Sequence, residues 1–146
     1  IFRSGTDSEI FLHLLADRVN HGRPIEDALG WVLRQLKGAF SLLVLKQDKI
    51  IAARDPQGFR PLALGKKGPG WVVASETCAF DQVGAEYVRD SLPGELGVID
   101  KSGVTSHMYA APEDIRPQQC IFEHVWCRDS PLRVSRRHFG RLAPLP

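Results

Sequence analysis

Apolar residues recur at helical spacing through the first part of the chain, and then the period changes. Thr6-x-x-Glu9 fits a capping box, and Ile10, Leu14, Leu15 and Val19 after it predict a helix from about Ser8 to Asn20. His21-Gly22 closes that helix, and Pro24 sits where a first helical position tolerates a missing N–H. Ile25, Ala28, Leu29, Val32, Leu33 and Leu36 then trace one face of a second helix, which stops at Gly38. Beyond it, Ala39 to Leu45 and Ile50 to Ala53 read as strands around Lys46-Gln47-Asp48-Lys49. Pro61 to Leu64 and Trp71 to Ala74 form a second pair around the glycine-rich turn Gly65 to Gly70, and together they predict an antiparallel meander. Thr77 to Val83 reads as a short helix, and Glu95 to Asp100 with Val104 to Met108 as a last hairpin turning at Lys101-Ser102-Gly103. Helices followed by antiparallel strands predict an α+β layered fold. The near-continuous apolar run Phe40 to Leu45 predicts a strand buried on both faces.

Between the two strand pairs lies Arg54-Asp55-Pro56-Gln57-Gly58-Phe59-Arg60-Pro61-Leu62. Asp55-Pro56-Gln57-Gly58 has the residues of a type I turn: a side-chain acceptor first, preset φ second, glycine fourth. Such a turn can present Arg54 and Arg60 from the ends of adjacent strands. Taken on the residues alone, these arginines pair with Asp55 or Glu76 to hold a rigid polar turn.

Composition narrows the class without naming a partner. The chain has 146 residues, the size of one domain, with 43% hydrophobic and 25% charged residues, as in ordinary globular proteins. A formal net charge of +2 argues against a dedicated nucleic-acid surface. No apolar run reaches the length of a membrane span, and the start lacks the plan of a secretion signal. Three cysteines cannot all pair within one chain. A cytoplasmic protein is the expectation.

The segment from Arg54 to Leu62, with Ser75-Glu76 ending a following strand, resembles the glutaminase domain of the class II (N-terminal-nucleophile) amidotransferases. Ser75-Glu76-Thr77-Cys78-Ala79-Phe80-Asp81, Gly84-Ala85-Glu86-Tyr87-Val88-Arg89-Asp90 and Pro93-Gly94-Glu95-Leu96 are similar to the amidophosphoribosyltransferase branch of that family. Thr6-Asp7-Ser8-Glu9 and Cys120-Ile121-Phe122-Glu123-His124-Val125 extend the likeness over roughly residues 5 to 125. The resemblance implies a four-layer αββα sandwich, here lacking its N-terminal strands. It implies a partial glutaminase domain over residues 1–125, in which ammonia is released from L-glutamine and passed to phosphoribosyl pyrophosphate in the first committed step of purine synthesis. The rivals are the glutaminase half of another class II amidotransferase and a non-catalytic scaffold or binding module.

The resemblance also assigns roles. In the family the nucleophile is an N-terminal cysteine, which would lie upstream of Ile1, as would the arginine and the Asn-Gly pair that handle the substrate; the chain as given is therefore expected to be inactive. Asp7 matches the aspartate that receives the α-ammonium group of glutamine; on its own residues it reads as a helix cap, and the two roles can coexist because Thr6 can take the cap. Arg54, Asp55, Gly58, Arg60, Ser75 and Glu76 are the motif residues that shape the fold. Cys120 stands where one branch of the family has the first ligand of a 4Fe-4S cluster, although one cysteine cannot hold a cluster. Mg2+ belongs to the phosphoribosyltransferase domain, which is not in this chain, and the whole enzyme is expected to be a homo-oligomer that binds neither nucleic acid nor membrane.

Other conspicuous residues read as structural. Cys78, between apolar neighbours, is expected to be a small core residue. His13, His21, His107, His124 and His138 are scattered without metal-ligand spacing, and Gly65 to Gly70 lacks the spacing of a phosphate loop. Cys120 and Cys127 do not form a zinc pair. Residues 126–146 lose apolar periodicity and are rich in arginine, serine and proline; an out-of-frame end and a disordered linker are the two readings of that tail.

Overall fold

The computed structural model describes residues 5–118; Cys120, Cys127 and the tail 126–146 lie outside the described residues. Helix α1 spans Asp7–Asn20 and α2 Ile25–Gln35. Strands follow at Ser41–Lys46 (β1), Lys49–Arg54 (β2), Ala63–Lys67 (β3) and Gly70–Ala74 (β4). A short helix at Cys78–Val83 (α3) leads to β5 at Glu86–Asp90, β6 at Glu95–Asp100 and β7 at Gly103–Met108.

Thr6 takes the N-cap of α1 with extended backbone (φ −92°, ψ 138°), and Glu26 and Asp27 in the first turn of α2 complement its dipole. Helix α2 buries the predicted face: Ala28, Leu29, Val32 and Leu33 are sealed, and Ile25 and Leu36 pack at its margin. Helix α1 differs from expectation. Phe11 and Leu15 face the core, whereas Ile10 is 51% exposed and Leu14 and Val19 are also exposed. At 100° per residue, Phe11 and Leu15 define the face that meets α2. Ile10 and Leu14 fall to one side of it and Val19 to the other.

The strands form two antiparallel sheets, as the αββα resemblance implies, and the predicted meander is divided between them. Sheet order is β1-β2-β6-β7 in the first and β4-β3-β5 in the second. Hairpins β1–β2, β3–β4 and β6–β7 arise as predicted, but β2 takes β6 as its second neighbour and β3 takes β5. The predicted turn Gly65 to Gly70 is shorter, because Gly65, Lys66 and Lys67 continue β3 and leave Gly68 and Pro69 as the connection.

Side-chain alternation assigns the layers. Leu42 and Val44 of β1, Ile51 and Ala53 of β2, and Leu96 and Val98 of β6 join Phe11, Leu15, Leu29 and Leu33 in one core, so α1 and α2 cover that face. In the second sheet, Ala63, Val72 and Ala74 pack with Phe80 of α3. Gly65 permits this approach: a Cβ there would lie 2.9 Å from the Phe80 ring and 3.0 Å from the Glu86 carbonyl. The remaining faces meet. Ala52 and Ile99 on one, and Leu62 and Leu64 on the other, are buried, and Arg89, which pairs across from Leu64, reaches Glu95 and Ser106 of the opposite sheet. The layer order is therefore helices, sheet, sheet, helix.

The predicted double burial of Phe40 to Leu45 does not hold. Leu43 is 55% and Leu45 82% exposed, because among the described residues β1 is the edge of its sheet and the three-stranded sheet does not extend over it. Among the described residues, no helix is long and apolar enough to cross a membrane.

Candidate functional site

The loop after β2 is the most heavily bonded irregular segment of the described chain. Asp55 is fully buried and begins the predicted turn, with Gly58 N–H donating to its carbonyl at 2.9 Å. One carboxylate oxygen of Asp55 accepts from the N–H groups of Gln57 (3.0 Å) and Phe59 (3.2 Å), and the other from that of Arg60 (3.4 Å). Arg54 lies across the same loop. Its Nε donates to the Arg60 carbonyl (2.9 Å), Nη2 to Gly58 (2.8 Å) and Nη1 to Ser91 (2.6 Å). Burial lowers the pKa of this guanidinium, although Asp90, Asp55 and Glu95 oppose the shift.

The expectation that the arginines pair with Asp55 or Glu76 is thus corrected. Among the described residues, no ion pair joins either arginine to either acid. Backbone carbonyls consume the Arg54 fork and backbone N–H groups consume the Asp55 carboxylate, because a tight loop leaves those groups without ladder partners. Arg60 contributes its backbone to this lattice and keeps an exposed side chain.

Neighbouring segments strap the loop from outside. Gly94 N–H donates to the Asp55 carbonyl, the N–H groups of Arg116 and Gln118 reach the carbonyls of Pro56 and Gln57, and the Tyr109 hydroxyl donates to the Arg54 carbonyl at 2.9 Å. Burial, together with the Asp55 charge, pushes the Tyr109 phenol above its ordinary pKa, so it stays a neutral donor. Gly58 and Gly94 both have positive φ and stand where a Cβ would come within 2.7 Å of Pro93 and of Ala110, respectively.

Beside this loop stands a carboxylate that the sequence reading passed over. Glu95 is only 2% exposed. Arg89 grips it with two bonds of 2.6 and 2.9 Å, Ser91 Oγ donates at 3.3 Å and the Leu92 N–H at 2.5 Å. Burial by itself would raise the Glu95 pKa, but the Arg89 fork and the other donors reverse that and hold it at about 2. The signal in the sequence was Arg89 and Glu95 on either side of the Pro93-Gly94 turn, opposite charges placed to meet across it.

The remaining predicted residues sit apart from this lattice. Ser75 and Glu76 follow the end of β4 and are exposed, with no bond to the Arg54–Arg60 loop among the described residues. Cys78 is the first residue of α3 and only partly buried; its Sγ lies 3.4 Å from Glu76 Oε2, and that carboxylate pushes the thiol pKa up. The expected core role belongs instead to Phe80, two residues on. Asp7 opens α1, and its side chain lies outside the described features. Among the described residues, no group of His, Cys, Asp and Glu could hold a metal ion.

Residues 1–82 match the model of a glutamine amidotransferase domain. Over 142 residues the chain is 47% identical to an amidophosphoribosyltransferase of Mycobacterium tuberculosis, covering 94% of this chain and 26% of that protein. Over 127 residues it is 43% identical to the chloroplastic amidophosphoribosyltransferase 1 of Arabidopsis thaliana, covering 86% of this chain and 22% of that one. The solved structure of glutamine phosphoribosylpyrophosphate amidotransferase from B. subtilis, complexed with ADP and GMP, superimposes with a TM-score of 0.79 at 39% identity. That match covers 86% of this chain and 27% of the other. The chain spans about a quarter of the length of these relatives, and its layered α+β fold is the N-terminal-nucleophile architecture implied by the resemblance. The chain belongs to the glutamine amidotransferase domain family.

Proposed function

We propose that this chain is the glutaminase portion of an amidophosphoribosyltransferase, releasing ammonia from glutamine for transfer to phosphoribosyl pyrophosphate at the entry to purine synthesis. The observation that supports it most is the 47% identity to an amidophosphoribosyltransferase over 142 residues, 94% of this chain. The bonding of Arg54 and Asp55 adds a physical reason. A loop whose charged groups are consumed by its own backbone is a fixed platform, and catalysis depends on holding groups within a fraction of an ångström.

In this reading Asp7, at the first turn of α1, receives the α-ammonium group of glutamine. A charge-assisted hydrogen bond of that kind contributes roughly 1.5–3 kcal/mol and separates an amino acid from a simple amide. The nucleophile is an N-terminal cysteine whose thiolate attacks the carboxamide, with its own α-amino group as base. Neither Mg2+ nor an iron–sulfur cluster takes part in this half-reaction; Cys120 as a cluster ligand belongs to the whole protein.

The test is made on the full-length gene product, assayed for phosphoribosylamine formation with glutamine or with ammonium salt as nitrogen donor. Asp7→Asn is expected to lower kcat/KM for glutamine about tenfold or more and to leave the ammonia-supported rate unchanged. Equal loss of both rates would assign Asp7 to folding, and absence of both activities in the unaltered protein would remove the proposed reaction.

A further inference from the structure

A cleft of about 480 Å3 lies between the C-terminal half of α1, the exposed side of α2 and the end of β7, away from the loop described above. Three guanidinium groups line it: Arg18 from α1, Arg23 from the connection and Arg34 from the last turn of α2. Among the described residues, no carboxylate lies within ion-pair distance of any of the three. Two are held in place by other means. Arg18 stacks 3.5 Å above the Trp31 ring, and Arg34 Nη1 donates to the Tyr109 carbonyl at 3.1 Å. Each of these contacts leaves further N–H donors of the fork for a ligand. Of the two acids on the rim, Glu26 is tied to Lys49 at 2.9 Å, and only Asp27 opposes the arginines.

We propose that this cleft is a binding site for a small molecule carrying phosphate groups. A phosphate presents several oxygens and close to two charges, so it can meet more than one guanidinium fork at once, whereas a single carboxylate satisfies one. The cleft has the volume of a small-molecule site, and the stacked Arg18–Trp31 pair forms part of its wall. The site is separate from the glutamine residues: Arg18 stands eleven positions along α1 from Asp7, about 16 Å of helix rise. It stands or falls independently of the glutaminase reading.

The experiment titrates the full chain with inorganic pyrophosphate by calorimetry. The expected result is saturable one-to-one binding that weakens with added salt, as for any interaction between screened charges. In Arg18→Gln and in Arg23→Gln, affinity is expected to fall about tenfold or more, with far-UV circular dichroism and Tm unchanged, while Lys67→Gln beside the distant β3–β4 turn binds normally. Arg23 is exposed, so its variant tests the site even if replacing Arg18 loosens the contact with Trp31. Absence of saturable binding, equal weakening by Lys67→Gln, or binding of an acidic peptide in place of pyrophosphate overturns the proposal.

Discussion

Arg54 owes its place to geometry more than to charge. Its three donors meet three carbonyls, two in its own loop and one at Ser91, and a lysine has neither the planar fork nor the reach to meet them together. Arg54→Lys is expected to cost about 2–3 kcal/mol, read as a lower urea midpoint at unchanged slope. Glu95 makes the opposite case, in which charge matters most. Its folded pKa is about 2 against an ordinary 4.5, so as pH falls the unfolded chain takes up the proton first. The stabilisation is complete above pH 4.5 and disappears as pH falls toward 2. It amounts to roughly 3 kcal/mol at most by linkage, less where solvent reaches Arg89. Urea titrations between neutral pH and pH 2 should show this slope, and Glu95→Gln should flatten it while lowering stability at neutral pH. Glu26 and Asp100 shift in the same direction but sit near solvent and add little.

Helix α1 and strand β5 mark where periodicity misleads. An apolar residue every third or fourth position reads as one face, yet α1 carries apolar residues round most of its circumference, and contact with α2 selected Phe11 and Leu15. Phe11→Ala is therefore expected to cost about 3 kcal/mol and Ile10→Ala under about 1, as thermal or chemical unfolding of the two variants will show. Strand β5 escaped prediction because Glu86-Tyr87-Val88-Arg89-Asp90 has charges at its ends and a register shift opposite Leu64 and Gly65 that breaks the period of two. Its Arg89 is tolerated between the sheets because Glu95 and Ser106 answer it from the other side. Helix α2, whose apolar stripe has one side only, was legible residue by residue.

The sandwich leaves its first sheet partly uncovered. Among the described residues, Leu43, Leu45, Ile50 and Met108 share the face that meets the second sheet, but all four are exposed, and β1 adds an unpaired edge. Exposed apolar side chains beside an open edge favour association. The isolated chain is expected to self-associate as its concentration rises, and Leu45→Lys to reduce that, with a stability change within about 0.5 kcal/mol. Sedimentation velocity over a concentration series measures the first effect and thermal unfolding the second. An unchanged sedimentation profile in the variant would acquit this face.

By itself the sequence determined what depends on near neighbours: α2 and its buried stripe, the three hairpins, the turn begun by Asp55, and, through the Arg54 to Leu62 and Ser75-Glu76 segments, the family. Tertiary structure decided what depends on residues far apart in the chain. It gave β2 and β3 their second neighbours, β6 and β5, since a strand's second neighbour is chosen by packing and no local rule names it. It directed Arg54 to backbone carbonyls instead of Asp55 or Glu76, because the folded loop turns its own Gly58 and Arg60 carbonyls onto the guanidinium and packing adds that of Ser91. It also buried Glu95, a charge whose desolvation is offset by Arg89 on the opposite sheet together with the Ser91 hydroxyl and the Leu92 N–H.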